Sequence, residues 1–579
     1  MPLRILTLVA LIGIGFGVRA HAQSIDGNWL GTLNPAPGVT LRVAVHIRAM
    51  ADGAHDGAMD SPDQGALGIP LAEVSGAGGV LVFQVPAIHG RYKGLWDASA
   101  KAWVGAWSQG GVEIPLSLTA GEAKAPPPVA GLDGDWTGAL LAPGGAKLRL
   151  ALRVRSTSET TVAKLDSLDQ GVLGLPVSGL THAGDHVRFE VLVVGGGFEG
   201  VLTGDGKTLV GTWRQGGHAM PLTLSHLAPG APEPTLNRPQ TPHPPFPYRS
   251  EPVVFENLKA HVRLAGTLTL PPGKGPFPAV VLIAGSGPHG RDELIFGHRP
   301  FLVLADYLTR HGIAVLRYDK RGIGESTGDY AKATSLDFAE DADVAALWLA
   351  AQPGIDPRQI GLIGHSEGGL IAPMVAARDP SVAFVVLMAG PGVDGARVLA
   401  EQGRLISKAM GAKATDIAKS SALRETAIAI VRDEADPATR AAKLKAAVIA
   451  YGAAHHLSKI ELERLEAQYA PIDSDWFRVF FTYDPAPALR TLRIPVLALI
   501  GEKDLQVPPD QNIPALRAAL SQDPRATVEA LPGLNHLFQT AGTGGVSEYG
   551  AIEETLAPSV LARIANWILE TTSSAKIAY

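Results

Sequence analysis

The sequence predicts an α/β domain, a mostly parallel sheet with helices on both faces and a helical insertion, preceded by two repeated small all-β domains. Three observations carry this. Residues 25–225 hold one motif set twice, in short alternating apolar segments broken by Gly and Pro. From about residue 251 the pattern becomes short continuous apolar runs alternating with helical stretches. A chain of 579 residues is also too long for one ordinary domain.

The start, "MPLRILTLVALIGIGFGVRAHAQ", sets Arg4 before an apolar stretch from Ile5 to Val18, then Ala20-His21-Ala22, a small-x-small cleavage signature. Residues 1–22 are therefore expected to be an export signal, with the mature protein periplasmic or secreted. The apolar run of about 14 residues falls short of the roughly 20 that a span requires, so no stable membrane span is expected after cleavage. The absence of cysteine excludes disulfides, a thiol nucleophile and thiolate metal sites. With 50 basic against 56 acidic residues, the chain offers no field for nucleic acid.

The repeat is explicit. "IDGNWLGTL" at Ile25 returns as "LDGDWTGAL" at Leu132, "MDSPDQGALGIP" at Met59 as "LDSLDQGVLGLP" at Leu165, and "VGAWSQGG" at Val104 as "VGTWRQGG" at Val210. Segments such as "LRVAVHI" and "LRLALRV" alternate with period two, which argues for antiparallel strands. One β domain is placed at 23–120 and the second at 129–227, followed by a proline-rich, extended linker at 228–250. Trp29, Trp107, Trp136 and Trp213 recur beside Gly in strand segments; core packing is the preferred account over a platform for stacking ligands.

The third domain, 251–579, opens its repeating pattern with "FPAVVLIAG", a buried-strand run, then helical "RPFLVLADYLTRHG", strand "IAVLRYD", helical "LDFAEDADVAALWLAAQ" and strand "QIGLIGH". This alternation implies a parallel sheet covered on both sides, with its chemistry at the carboxyl ends of the strands. Between "AFVVLMAG" and "IPVLALIG" lies a largely helical insertion, about 395–485.

Two segments fit G-x-S-x-G, around Ser326 and Ser366, and in a chain with 66 glycines the pattern alone decides nothing. Context decides. The strand 360–363 runs straight into Gly364, and an apolar small-residue helix follows Ser366, the strand, tight turn and helix that mount a nucleophile. Ser326 lies in a charged, glycine-rich loop without such a helix, where Asp319 and Arg321 are expected to pair with each other. A serine nucleophile in this architecture requires an acid and then a histidine downstream. "IPVLALIGEKD" places Asp504 just past a strand, with Glu502 as its competitor, and "ATVEALPGLNH" places His536 past the next. The backbone amides of Ser286, in "IAGSGPHGRDE", and of Glu367, at the helix start, are the candidate oxyanion donors. In the insertion, Trp476, Phe477, Phe480 and Phe481 share one helix face, suited to lining an acyl pocket or to packing cap on core.

Together, "IAGSGPHGRDE", "YDKRGIGESTG", "IGLIGHSEGG", "GEKD" and "NHLFQ" resemble the α/β-hydrolase superfamily, in particular its bacterial carboxylesterase branch related to dienelactone hydrolases and serine aminopeptidases. The resemblance covers roughly Pro252 to Leu569. It implies hydrolysis of small acyl esters by a Ser366-His536-Asp504 triad, no metal, no organic cofactor, and an insertion that caps the active site. One departure is Ala284-Gly285 where many relatives carry His-Gly before the oxyanion residue. A peptidase or an acyltransferase on the same fold stays open, as does, from another class, a surface-binding protein with a degenerate back half.

Overall fold

The computed structural model describes residues 23–577 apart from 37–38, 51–53, 65, 89, 110–111, 123–127, 142–146, 159, 171, 216–217, 229 and 232–235. The expected export signal, 1–22, lies outside the described residues. The chain divides between residues 126 and 127 into two compact units. The first holds one β domain; the second holds the other β domain together with the α/β domain.

Each β domain is a nine-stranded antiparallel sheet. In the first, Gly27–Ala36 lies between Val39–Ala49 and the central strand Val112–Ala120, and the edges are Ala66–Pro70 and Ala72–Ser75. Only Leu71 separates those two edges in the chain, so the sheet curls almost into a barrel. The second domain repeats this, with Gly134–Leu141 beside the central strand His218–His226 and its edges, Val172–Pro176 and Ser178–Ala183, flanking Val177.

The curl turns one face inward, and the repeated tryptophans fill it: Trp29, Trp107, Trp136 and Trp213 are all buried. A buried indole N–H has to find an acceptor. Trp29 Nε1 donates to Ile25 O (2.7 Å), as Trp136 Nε1 does to Leu132 O (2.8 Å). Trp107 and Trp213 donate to the side-chain oxygens of Gln109 and Gln215, which accounts for the repeated W-x-Q. The repeated Asp-Gln-Gly has a similar origin: Asp63 and Asp169 accept from both the backbone and the guanidinium of Arg42 and Arg149. These residues are core and corner, not a ligand platform.

The α/β domain is built on an eight-stranded mixed sheet ordered β1-β2-β4-β3-β5-β6-β7-β8. Its strands are β1 (Arg249–Asn257), β2 (Val262–Leu270), β3 (Phe277–Ile283), β4 (Ala314–Tyr318), β5 (Ile355–His365), β6 (Val382–Met388), β7 (Val496–Gly501) and β8 (Ala526–Leu531). β1, β2 and β4 pair antiparallel; the remaining pairings are parallel. Helices α1 (Pro300–Arg310), α2 (Ser335–Ala350) and α3 (Glu367–Ala376) connect the first strands. Strand residues divide between two cores by the period of two: Ala279, Val281 and Ile283 of β3 face one with α2 and α3, while Val280 and Leu282 face the other with α1.

The insertion comprises α4 (Gly395–Ala409), α5 (Ala414–Asp433), α6 (Pro437–Ala454), α7 (Lys459–Tyr469) and α8 (Asp475–Thr482). It has a core of its own, Leu423, Ala427, Leu444, Val448 and Tyr469. Helices α9 (Ala486–Thr491), α10 (Pro509–Ala519) and α11 (Pro558–Ile577) complete the domain. No helix among the described residues is long and apolar enough to cross a membrane.

The proline-rich segment is strapped to this domain by its polar side chains. Arg238 donates to Phe296 O (2.9 Å) and Gly550 O (2.7 Å), the Gln240 side chain accepts from the backbone N–H of Thr555 (2.6 Å), and Tyr248 donates to Asp306 (2.8 Å).

Candidate active site

Ser366 stands between the last residue of β5 and the first of α3, at φ 53° and ψ −115°. A non-glycine residue holds such angles only when its surroundings over-determine them. Here Ser366 N–H donates to Met388 O at the end of β6 (2.8 Å), and Ser366 O accepts from Gly369 N–H (2.9 Å). The flanking glycines are required by contact: a Cβ on Gly364 would stand 1.9 Å from Gly368 O, and one on Gly368 would stand 2.0 Å from Ile283 O.

Ser326 has a different employment. It is buried, its Oγ donates to Asp319 O (2.8 Å) and accepts from Ala265 N–H (2.9 Å), so it ties the loop after β4 to β2. The expected Asp319–Arg321 pairing does not form. Asp319 takes Arg291, and Arg321 reaches across to Asp341 and Asp337 of α2, because the two side chains face different elements.

Past β7, Asp504 is buried with Oδ1 accepting from the N–H groups of Gln506 and Val507 (both 2.8 Å). Its Oδ2 lies 2.8 Å from His536 Nδ1, past β8. Glu502 is exposed and receives Gly533 N–H instead, so Asp504 is the acid that meets the histidine. His536 lies beside the serine turn: its carbonyl is 3.1 Å from His365 Nε2, and the two rings are 5.0 Å apart.

The loop after β3 passes over this turn, with a Cβ on Gly285 falling 3.2 Å from Ser366 Cβ. Three of its engaged backbone groups flank the Ser286 amide. Gly285 N–H donates to Glu293 Oε1 (2.6 Å), Gly285 O accepts from Lys320 Nζ (2.6 Å), and Ser286 O accepts from His289 Nε2 (2.8 Å). The N–H groups of Ser286 and Glu367 have no protein acceptor among the described residues, which leaves both available to an oxyanion.

Four charged groups beneath the turn escape a reading by motif. Lys320 and Glu367 form a buried ion pair, Nζ to Oε2 at 3.1 Å, and Glu367 Oε1 also accepts from Ser335 Oγ and Trp476 Nε1 (both 2.6 Å). Glu293 and His365 form another, Oε1 to Nδ1 at 3.0 Å. Burial opposes charge on both, but their mutual attraction prevails, holding the Glu293 carboxyl below its usual range and His365 above its own. Both His365 nitrogens face oxygen acceptors, so the imidazolium satisfies both at once. The available sequence signal was charge set directly against apolar runs, in "VLRYDKRG" and "LIGHSEGG".

Of the other histidines, His298 is buried between Thr555 Oγ1 (2.9 Å) and Tyr549 O (3.0 Å), and burial pushes it down to about 4. His455 packs against Tyr451 at the end of α6, away from the chemistry. The α8 aromatics form the joint between cap and sheet. Trp476 stacks on Phe480 at 5.0 Å and both pack on the sheet core, while Phe477 and Phe481 pack with Ala396 and Ile428. Phe481 is buried in that cap cluster and also borders a cavity between α4, α5 and α8, with Ala396, Ile428 and Thr482.

Residues 280–546 match the model of the α/β hydrolase family. This domain belongs to the α/β hydrolase superfamily. The hydrolase is 28% identical over 333 residues to the esterase EstD of Thermotoga maritima, a match covering 55% of this chain and 69% of that protein. Over 126 residues it is 32% identical to the thiohydrolase aneE of Aspergillus aculeatus, covering 22% of this chain and 37% of that protein. Among solved structures, the Pyrococcus furiosus esterase Pf2001 aligns at a TM-score of 0.34 and 16% identity, covering 56% of this chain and 93% of that one. The hydrolase domain is thus esterase-like, and the ordered strand ends described above are where its candidate residues meet.

Proposed function

We propose that the protein is an exported serine carboxylesterase acting on small esters through Ser366, His536 and Asp504. The observation that carries this is the 2.8 Å contact between Asp504 Oδ2 and His536 Nδ1 beside the strained Ser366 turn. With Nδ1 engaged by the carboxylate, Nε2 is the nitrogen left to exchange a proton with the serine.

In this reading His536 takes the Ser366 proton as Oγ attacks the ester carbonyl. The tetrahedral oxyanion is received by the N–H groups of Ser286 and Glu367, with the positive end of α3 adding to the field. His536 then protonates the departing alcohol, leaving an acyl-serine, and water repeats the cycle to release the acid. The similarity to an esterase supports ester substrates, and the shorter similarity to a thiohydrolase makes thioesters the second class to assay.

The test is a panel of acyl esters, acyl thioesters and aminoacyl amides, run with wild type and Ser366→Ala, together with fluorophosphonate labelling. Ester turnover is expected to fall about 10⁴-fold or more in the variant, and the label is expected on Ser366. Ester turnover that survives the substitution refutes the assignment. Amide turnover without ester preference turns the reading to a peptidase.

A further inference from the structure

The buried Lys320–Glu367 pair is expensive to maintain, since two desolvated charges recover their hydration only through good partners. Both have them. Lys320 Nζ is bonded to Gly285 O as well as Glu367, and lies 4.4 Å from the centre of the Phe338 ring. Glu367 receives Lys320, Ser335 and Trp476. The pair therefore touches four elements: the loop over Ser366, the first turn of α3, the start of α2, and cap helix α8.

Its contact with Gly285 O has a geometric consequence. Gly285 C=O and Ser286 N–H belong to one planar trans peptide, in which the two groups point in opposite directions. Holding the carbonyl on Lys320 turns the Ser286 N–H away from Lys320. Gly285 N–H is fixed on Glu293 and Ser286 O on His289, and between them the Ser286 N–H has no protein acceptor among the described residues. At the other end, the Glu367 side chain anchors the residue whose own N–H is the second donor. One ion pair thus bears on both oxyanion amides.

We propose that Lys320 and Glu367 are positioning residues for the oxyanion site, and that Trp476 Nε1 on Glu367 makes this site respond to the seating of the cap. The inference rests on the esterase reading above. In it, an ester that seats α8 also sets the two amides, so acylation is fast only under a docked cap. None of the three side chains is hydrogen-bonded to Ser366; they act through the Gly285–Ser286 peptide and the start of α3.

The experiment compares Lys320→Met, Glu367→Gln and Trp476→Phe with wild type on a p-nitrophenyl ester, all rates divided by sites titrated with a fluorophosphonate. Trp476→Phe removes the indole donor while keeping an aromatic ring, and is the mild member of the set. Because one oxyanion donor is worth about 10²–10³ in kcat, misdirecting one is expected to lower kcat per titrated site about ten- to a hundredfold in Lys320→Met. Trp476→Phe is expected to lower it about three- to tenfold, with KM within about twofold in both. Affinity for a boronate transition-state analogue is expected to fall in step with kcat/KM across the set. A purely structural role lowers the number of titrated sites and leaves kcat per site unchanged, which overturns the proposal. A loss confined to KM, or an unaffected boronate affinity, overturns it as well. A wild type that neither turns over ester nor takes the label on Ser366 overturns the esterase reading and this one with it. A labelled, active wild type beside an unaltered Lys320→Met overturns this one alone.

Discussion

At the scale of single residues, the Glu293–His365 pair makes a pH-resolved prediction. The folded state depresses the Glu293 carboxyl, so that contribution is present above about 4.5 and is lost as pH falls through the depressed value. It raises His365, so that contribution is present below about 6.5 and is lost as pH rises through the raised value. The melting-temperature deficit of Glu293→Gln is therefore expected to be largest near pH 4.5–6.5 and to narrow on both sides; a deficit flat across pH refutes the pairing as an ionic one. Asp504→Asn is expected to lower ester kcat about 10⁴-fold through the wrong imidazole tautomer, whereas Glu502→Gln, at an exposed residue on Gly533 N–H, is expected to leave it within about twofold. Loss in the second and not the first reverses the choice of acid. The placing of Ser366, Asp504 and His536 past the carboxyl ends of β5, β7 and β8 was readable in the sequence, because strand segments precede each of them. Lys320, Glu293 and His365 were not, because their roles arise from contacts between loops after different strands, and no local spacing records those.

At the scale of elements, the serine turn separates two costs that a glycine can carry. Gly364→Ala forces a Cβ against the Gly368 carbonyl, a backbone group that cannot rotate away, and is expected to cost about 3 kcal/mol or more. Gly411→Ala, at φ 79° between α4 and α5 with nothing near its Cβ, meets only the left-handed penalty of about 1–2 kcal/mol. Chemical denaturation of the two variants checks the order, and equal losses contradict the close-packed turn. Strands and helices of the α/β domain followed from periodicity because β6, β7 and the second half of β5, from Ile360, are buried and read as continuous apolar runs. The α8 aromatics shared a helix face as expected, but pattern cannot distinguish a residue lining a pocket from one closing a core. Phe481 does both, packing in the cap cluster and bordering the cavity between α4, α5 and α8, and Trp476 has a hydrogen bond to Glu367 that no helical spacing foretells.

At the scale of the molecule, the segment 546–556 connects the second β domain to the candidate site. Gly550 lies so close to the β domain that a Cβ there would fall 1.4 Å from Asp169 O. Its carbonyl takes Arg238 of the strap, and Thr555 N–H takes Gln240. On the inner side, Tyr549 O meets His298, and the Tyr549 hydroxyl accepts from Gln506, whose own N–H caps Asp504. The path from the β domain to the acid is thus a chain of direct contacts, whereas the unit ending at residue 126 closes a core of its own around Trp29, Trp103 and Trp107. Two shortened chains test what this arrangement does. One beginning at residue 128 keeps the second β domain and is expected to hold ester kcat and KM within about twofold of full length. One beginning at residue 246 lacks that domain along with Asn237, Arg238 and Gln240. With the anchors from Asp169, Asn237, Arg238 and Gln240 gone, it is expected to melt lower and, per titrated serine, to turn over more slowly, because the support of Asp504 through Gln506 and Tyr549 is loosened. Restoring residues 236–245 alone is expected to recover part of the melting temperature, since charge-assisted bonds such as those of Arg238 contribute about 1.5–3 kcal/mol each. If the chain beginning at residue 246 retains both full stability and full turnover, the second β domain and the strap are attachments rather than supports of the site.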